Sequence, residues 1–402
     1  MPIYNYIVKD STGKTISGTV EAPNTTLAGD ILRERSYVVV SLVEKTTGGF
    51  FQQLLERFRG VTLGEKTIFA RQMATMVSAG LPLTNAMEIL RIQAGSERMK
   101  EVLGGMLADV QGGNSLAKSM AKHPDVFDKV TVALVEAGEA SGKLDLLLTQ
   151  LADNLEKERD FRSKTRGALI YPAVIGIAMV AVFIIMMIFV VPRLTALYED
   201  IGANLPLPTK ILIAISNLLV NGWWALLAVL GVGGFIAYKY LSTDKGKYRL
   251  ANFTFKFPIF GKLNKESELA RFSRTLGLLI GAGIPITQAL EIVANAMSNV
   301  LYRDSILAAE KQVEKGVPLS VPIRADPNFD PLISQMIAVG EETGKMDEVL
   351  GKVAGFFESQ AETSIKNLST ALEPIILVVL GVMVGGLVLS IITPIYNLTT
   401  QF

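Results

Sequence analysis

Ala79-Gly-Leu-Pro-Leu-Thr-Asn-Ala-Met-Glu-Ile-Leu90 returns later in the chain as Ala282-Gly-Ile-Pro-Ile-Thr-Gln-Ala-Leu-Glu-Ile-Val293, at an offset of 203 residues. A second block, Gly138-Glu-Ala-Ser-Gly-Lys-Leu-Asp145, returns as Gly340-Glu-Glu-Thr-Gly-Lys-Met-Asp347 at an offset of 202. A long run without charged residues follows each copy. The sequence therefore predicts a duplicated helical module with a membrane anchor behind each copy.

Three uncharged runs are long enough to span a bilayer, since a transmembrane helix needs about 20 apolar residues. Gly167 to Pro192 and Ile211 to Tyr238 carry no charge, and no charged residue follows Glu373. Lys and Arg are concentrated before the first run and after the second. The positive-inside rule then predicts that the N-terminus and both modules are cytoplasmic and that the C-terminus is external. The N-terminus lacks the apolar core of a signal peptide, so the first span is expected to direct insertion.

The predicted fold is an all-α integral membrane protein with two cytoplasmic helical bundles, three transmembrane helices and a small α+β N-terminal unit. Alternating apolar residues and turn signals predict three strands and one helix at the N-terminus. The predicted segments are the α+β unit 1–45, an amphipathic linker 46–61, bundle copy 1 at 62–166, transmembrane helix 1 at 168–192, an external loop 193–210, transmembrane helix 2 at 211–240, a cytoplasmic linker 241–261, bundle copy 2 at 262–368, transmembrane helix 3 at 372–396 and an external tail 397–402.

Two corners recur in each bundle. At the first, Gly80 and Gly283 are predicted to end a helix in the left-handed conformation, and Pro82 and Pro285 to occupy the first position of the next helix. Copy 1 itself begins with a capping-box pattern, Thr62-Leu-Gly-Glu65.

The second corner superficially resembles a phosphate-binding loop. A Walker A loop needs four residues between its glycines and a Ser or Thr after its lysine, and this chain has three residues, followed by Leu144 or Met346. We therefore expect a tight interhelical corner with a positive φ at the second glycine and an N-cap at the aspartate. The glutamates are candidate contact residues. The corner residues are Gly138, Glu139, Gly142, Lys143 and Asp145 in copy 1 and Gly340, Glu341, Gly344, Lys345 and Asp347 in copy 2.

No residue pattern indicates a catalytic or cofactor site. Cysteine is absent and His123, which precedes Pro124, is the only histidine, so a thiolate metal site or a Ser-His-Asp triad has little support. Acidic residues such as Asp109 and Glu156 have no EF-hand spacing. A net charge of +1 gives no indication of nucleic-acid binding. We predict no enzymatic activity and no cofactor.

The duplicated blocks resemble the inner-membrane platform proteins of type II secretion and type IV pilus systems (the GspF/PilC family). The resemblance rests on Phe69, Arg71 and the two quoted blocks of copy 1, on their counterparts with Phe272 and Arg274 in copy 2, and on a proline-bearing span after each copy. It covers about residues 62–396, and the N-terminal unit is compatible with it. Some family members carry a Ca²⁺ site in the first module. Asp153, Thr149 and Gly95 match its positions only in part, so we do not transfer that site.

The resemblance implies a platform that couples a cytoplasmic assembly or retraction ATPase to extraction and polymerisation of pilin or pseudopilin. Its implied partners are that ATPase, the pilin, other inner-membrane assembly components, membrane lipid and further copies of itself in a homo-oligomer, but no nucleic acid. A secondary transporter with internal repeats is the alternative. Transporter sites usually lie near the bilayer midplane on broken helices with polar or ionisable groups, and these spans carry no charge.

Overall fold

The computed structural model describes residues 3–9, 15–34, 37–45, 60–193, 195, 207–256 and 258–399. The chain divides into two compact units, one of residues 1–61 with 94–101 and the other of residues 62–93 with 102–402. The predicted amphipathic helix at 50–58, most of the predicted external loop and the end of the C-terminal tail lie outside the described residues.

The N-terminal unit is a small antiparallel sheet with one helix. Its elements are β1 (Ile3–Lys9), β2 (Thr15–Glu21), α1 (Thr25–Glu34) and β3 (Val38–Lys45). β1 is the central strand and pairs Ile3 with Glu21 on one side and with Lys45 on the other, in the order β2-β1-β3. Tyr4, Ala22 and Ala28 form its buried core. The predicted α+β unit is confirmed.

Each bundle contains the same six helices in the same order. Copy 1 comprises α2 (Leu63–Ser78), α3 (Leu83–Gln93), α4 (Glu97–Gln111), α5 (Leu116–Ala121), α6 (Lys129–Ser141) and α7 (Leu144–Ile185). Three helices follow: α8 (Leu207–Asn221), α9 (Trp223–Leu241) and α10 (Asp244–Lys256). Copy 2 comprises α11 (Pro258–Gly281), α12 (Ile286–Ala296), α13 (Val300–Val313), α14 (Ser320–Ala325), α15 (Pro331–Thr343) and α16 (Met346–Thr399).

The first and last helices of each bundle pack side by side in opposite directions. Glu266 near the start of α11 bonds Ser364 well along α16, whereas a Cβ placed on Gly281 at the end of α11 would lie 3.3 Å from Asp347 Cβ at the start of α16. Aromatic rings fill the cores at equivalent positions: Phe69 and Phe127 in copy 1 have ring centroids 5.6 Å apart, and Phe272 and Phe329 in copy 2 have theirs 5.1 Å apart. The capping box of Thr62 and Glu65 is present as predicted.

Bundle and span share one helix in each copy. α7 continues through a π-helical turn at Met186–Val190, so that a single helix extends from Leu144 to Arg193 and is long and apolar enough to cross a membrane. α16 likewise extends from the bundle into an apolar run, as a single α-helix of 54 residues. At 1.5 Å per residue the two helices are about 75 and about 80 Å long, well beyond the thickness of a bilayer.

The second predicted span, 211–240, is not one helix. α8 ends at Asn221 and α9 begins at Trp223, because Gly222 leaves the helical region at φ −107° and ψ 11°. A Cβ on Gly222 would lie 3.0 Å from the Leu218 carbonyl oxygen, so this break favours glycine. Of these two helices, α9 is long and apolar enough to span a membrane, whereas α8 is a shorter apolar helix. Part of the predicted linker 241–261 is helix α10.

The π-helical turn of α7 is held by a neighbouring helix. Such a turn leaves a backbone carbonyl without its usual helical donor. The hydroxyl of the buried Ser216 in α8 donates to the Met187 carbonyl oxygen at 2.6 Å. Leu212 of α8 and Met383 of α16 pack against buried Met187. Thus α7, α8 and α16 meet at this point.

Candidate interaction surfaces

The second corner of each bundle is formed by a left-handed glycine. Gly142 has φ 67° and ψ 18°, and Gly344 has φ 71° and ψ 13°, as predicted. The prediction that Asp145 and Asp347 are N-caps is wrong. α7 begins at Leu144 with Lys143 as its N-cap, and α16 begins at Met346, so both aspartates already lie in the first helical turn. Each helix therefore begins two residues earlier than the sequence pattern suggested.

The first glycine of the corner allows two helices to approach. A Cβ on Gly138 would lie 3.1 Å from the Cα of Leu144, and one on Gly340 would lie 3.0 Å from the Cα of Met346. Both glycines are buried. The pattern Gly-Glu-x-(Ser/Thr)-Gly-Lys is therefore accounted for by two backbone requirements, one for close approach and one for a positive φ.

The glutamate of the corner binds the N-terminus of the short helix beside it. The Glu139 carboxylate accepts the backbone N–H groups of Leu116 at 2.6 Å and Ala117 at 3.0 Å. In copy 2, Glu341 accepts the Leu319 N–H at 2.5 Å and the Ser320 hydroxyl at 2.6 Å. The first N–H groups of a helix have no intrahelical acceptor, and a negative charge there is also favoured by the helix dipole. Sequence reasoning missed this role, because the corner and the short helix are about 20 residues apart.

The first corner matches its prediction at the glycine and departs from it at the proline. Gly80 has φ 81° and Gly283 has φ 82°. Pro82 and Pro285 each lie one residue before the helix start, and their carbonyls accept the first N–H bonds of α3 and α12. The prolines thus act as N-caps rather than as first helical residues.

The lysine of the second corner is exposed in both copies. Lys143 and Lys345 are both exposed, and Lys345 lies 3.6 Å from Glu348. Their assignment as partner contacts stays a prediction, as does that of the two glutamates, which are half-buried and already hydrogen-bonded.

An arginine joins the first helix of each bundle to the helix that enters the membrane. Arg71 of α2 donates to Glu156 at 2.7 Å and to Asp153 at 2.5 Å in α7. These bonds raise the pKa of Arg71, with Glu156 the larger cause, and the bond from Arg71 lowers the pKa of Glu156. At the equivalent positions of copy 2, Arg274 pairs with Glu358. Both arginines belong to the duplicated sequence motif, but the sequence alone did not indicate their role.

The acidic residues of copy 1 that could be considered for Ca²⁺ have protein partners. Arg71 binds Asp153 and Glu156, and Lys122 binds Asp109 at 2.6 Å. Within the described residues, no group of three or more His, Cys, Asp or Glu side chains has the arrangement of a metal site. His123 is half-buried in its loop.

These features define a membrane-anchored protein built from a duplicated six-helix module. The sequence matches the family described as "Type II secretion system (T2SS), protein F" over residues 69–192 and again over 272–394, and the N-terminal domain of that protein over residues 1–43. The chain therefore belongs to the type II secretion system protein F family.

Similar proteins come from both pilus and secretion systems. The type IV pilus assembly protein PilC of Thermus thermophilus is 37% identical over 99% of this chain and 98% of its own length. PilC of Pseudomonas aeruginosa is 36% identical over 82% of this chain and 89% of its own. The type II secretion system protein F of the same organism is 32% identical over 99% of each chain. Identity at this level does not separate pilus assembly from secretion.

Proposed function

We propose that this chain is the inner-membrane platform of a type IV pilus or type II secretion assembly machine. It couples a cytoplasmic ATPase to the extraction and polymerisation of pilin or pseudopilin and hydrolyses no nucleotide itself. The observation that carries the proposal is the near full-length similarity to relatives named for pilus assembly and type II secretion. Those names favour a platform over the alternative of a small-solute transporter.

Helix continuity supports a mechanical role. α7 and α16 each extend from a bundle into an apolar run, so displacement of a bundle is passed to its span without an intervening loop. The Arg71 and Arg274 ion pairs fasten the first helix of each bundle to these long helices. A force applied to α2 or α11 therefore reaches the membrane through packed helices.

The orientation belongs to the same proposal. The Lys and Arg bias predicts that both bundles are cytoplasmic, where an ATPase can reach them. The exposed corner lysines, Lys143 and Lys345, are the candidate contacts on the bundles, and the 50–58 segment is a further candidate from the sequence.

The test uses purified full-length protein and the ATPase encoded with it. The protein alone is expected to show no ATP hydrolysis above background, and Lys143→Ala is expected to leave that unchanged. Adding the ATPase is expected to give a stable complex in which ATP turnover depends on this protein. Lys143→Glu is expected to weaken the complex, and Lys311→Glu, a change at an exposed lysine on α13 of copy 2, serves as the matched control. Intrinsic hydrolysis that disappears in Lys143→Ala would overturn the proposal.

A further inference from the structure

The two bundles of one chain meet through different surfaces. The surface contributed by copy 1 comes from α6 and α7 and is called face A. The surface contributed by copy 2 comes from α11, α12 and the side of α16 that carries Gly351, Gly355 and Glu358, and is called face B. A cavity of about 260 Å³ between them is lined by Thr131 and Asn154 from face A and by Arg271 from face B. A second gap is lined by Ala133 of α6 and Gln288 of α12.

The contact is head-to-tail rather than two-fold. A two-fold contact between the copies would also bring face B of copy 1 (α2, α3 and the side of α7 with Asp153) against face A of copy 2 (α15 and the side of α16 with Phe356). Among the described residues, α7 packs on one side of α16 and α6 packs on α11 and α12, while α3 makes no comparable contact with α15. One face of each kind is therefore used inside the chain, and one of each kind is left over.

Face B of copy 1 is exposed where its counterpart is covered. Ile89 of α3 is 38% exposed, whereas the equivalent Ile292 of α12 is 9% exposed. The Arg71 side chain is 37% exposed and that of Arg274 is 18% exposed. Ile92, one turn beyond Ile89, is 69% exposed. The same residue type at the same repeat position is thus buried only in the copy that has a neighbour.

Face A of copy 2, on α15 and on the side of α16 opposite Gly351, is also exposed, and at two positions its residue is more apolar than that of copy 1. Phe356 occupies the position equivalent to Asn154 and is 46% exposed. Ala338 replaces Glu136, and the exposed Gln335 replaces Ala133. Exposed apolar patches mark interaction sites. The repeat equivalents of these two faces contact each other within the chain, which indicates that a second copy of the chain covers them.

We propose that chains associate head-to-tail, with face B of copy 1 of one chain packed on face A of copy 2 of the next. The intermolecular contact repeats the contact that joins the two bundles within each chain. Ile89 then occupies the position that Ile292 holds beside α6, and Phe356 occupies that of Asn154.

The membrane limits the geometry of this assembly. Heterologous contacts give a ring where the rotation closes and an open filament where it does not. Because α7 and α16 of every chain enter the same bilayer, successive chains are related by rotation about an axis close to the membrane normal. Such a rotation favours a closed ring of bundles on one side of the membrane.

The test is cross-linking in membranes with a bismaleimide, since the chain contains no cysteine of its own. Asn85→Cys and Gln335→Cys are placed on two differently tagged, co-expressed chains. Ala133→Cys with Gln288→Cys in one chain, the repeat-equivalent pair, is the intrachain control. We expect a mixed cross-linked dimer from Asn85→Cys with Gln335→Cys, none from either variant with itself, and a ladder when one chain carries both.

Substitution on the exposed face provides a second measurement. Ile89→Asp is expected to reduce the mixed cross-link at least tenfold and to lower the mass of the purified particle. Val321→Asp, a change at an exposed apolar residue of α14 outside both faces, is the matched control and is expected to leave both unchanged. Self-cross-linking of Asn85→Cys, a strictly monomeric wild type, or no interchain product when the intrachain control reacts would each overturn the proposal. Neither readout involves the ATPase or pilin, so the result is independent of the proposed function.

Discussion

Truncation of Glu139 tests whether the corner glutamate holds the short helix of its bundle. Glu139→Ala removes an acceptor that binds the N–H groups of Leu116 and Ala117 at 2.6 and 3.0 Å. Both residues are almost completely buried, so water replaces the carboxylate poorly. Ser115, the N-cap of α5, binds only the Lys118 N–H and cannot serve these two groups.

The size of the effect follows from the number of bonds lost. A hydrogen bond to a charged group contributes about 1.5–3 kcal/mol, and Glu139 is half-buried, which places the loss of both bonds at about 2–4 kcal/mol. A loss of about 2 kcal/mol corresponds to roughly 30-fold faster opening, since about 1.4 kcal/mol is tenfold. The loss is local, because the two bonds hold the N-terminus of α5, a helix of only six residues.

Hydrogen exchange of the full-length protein, followed by mass spectrometry, measures this opening. Peptides covering 116–121 are expected to exchange at least about 30-fold faster in Glu139→Ala, while α2 and α7 stay protected. Glu136→Ala, an exposed glutamate on the same helix, is the control. Unchanged exchange in α5, or an equal rise throughout the bundle, would refute the capping role.

Three further results are expected. Gly142→Val is expected to reduce the free energy of unfolding by about 1–2 kcal/mol and so to lower the melting temperature of the full-length protein, because a β-branched residue is disfavoured at φ 67°. Gly142→Asn is expected to have a smaller effect, and equal melting temperatures for both variants and the wild type would contradict this. Burial raises the pKa of the Glu268 carboxyl, so the protein loses stability as the pH rises from the usual glutamate pKa through the raised pKa of the folded state. Glu268→Gln is therefore expected to melt at a higher temperature than the wild type near neutral pH and to lose this advantage at acidic pH. A difference in melting temperature that does not depend on pH would contradict this. In intact cells, an impermeant maleimide is expected to label Asn204→Cys and not Ser359→Cys, and the opposite pattern would reverse the topology.

The sequence was sufficient wherever the structural signal is local. Gly80 and Gly142 precede a new helix start, and a left-handed backbone there follows from short-range geometry alone. The capping box at Thr62 and the three apolar runs are likewise local signals of composition and spacing. The repeat itself predicted two equivalent bundles, because the same residues at the same spacing fold in the same way.

Tertiary packing decided what local signals left open. Asp145 follows a glycine corner and has the chemistry of an N-cap, but the approach of α6 to α7 at Gly138 tightens the corner, so that the helix already begins at Leu144. Gly222 breaks the second predicted span although the surrounding run carries no charged residue.

Glu139 and Ile89 show the same limit over longer distances. Glu139 binds a helix that begins 23 residues before it, and no periodicity of the sequence indicates that pairing. Ile89 and Ile292 are the same residue type at equivalent positions, yet only Ile292 is covered. Internal symmetry in the sequence determined that there are two like modules. Which face of each module is buried depends on how the two copies pack, and only the tertiary structure contains that information.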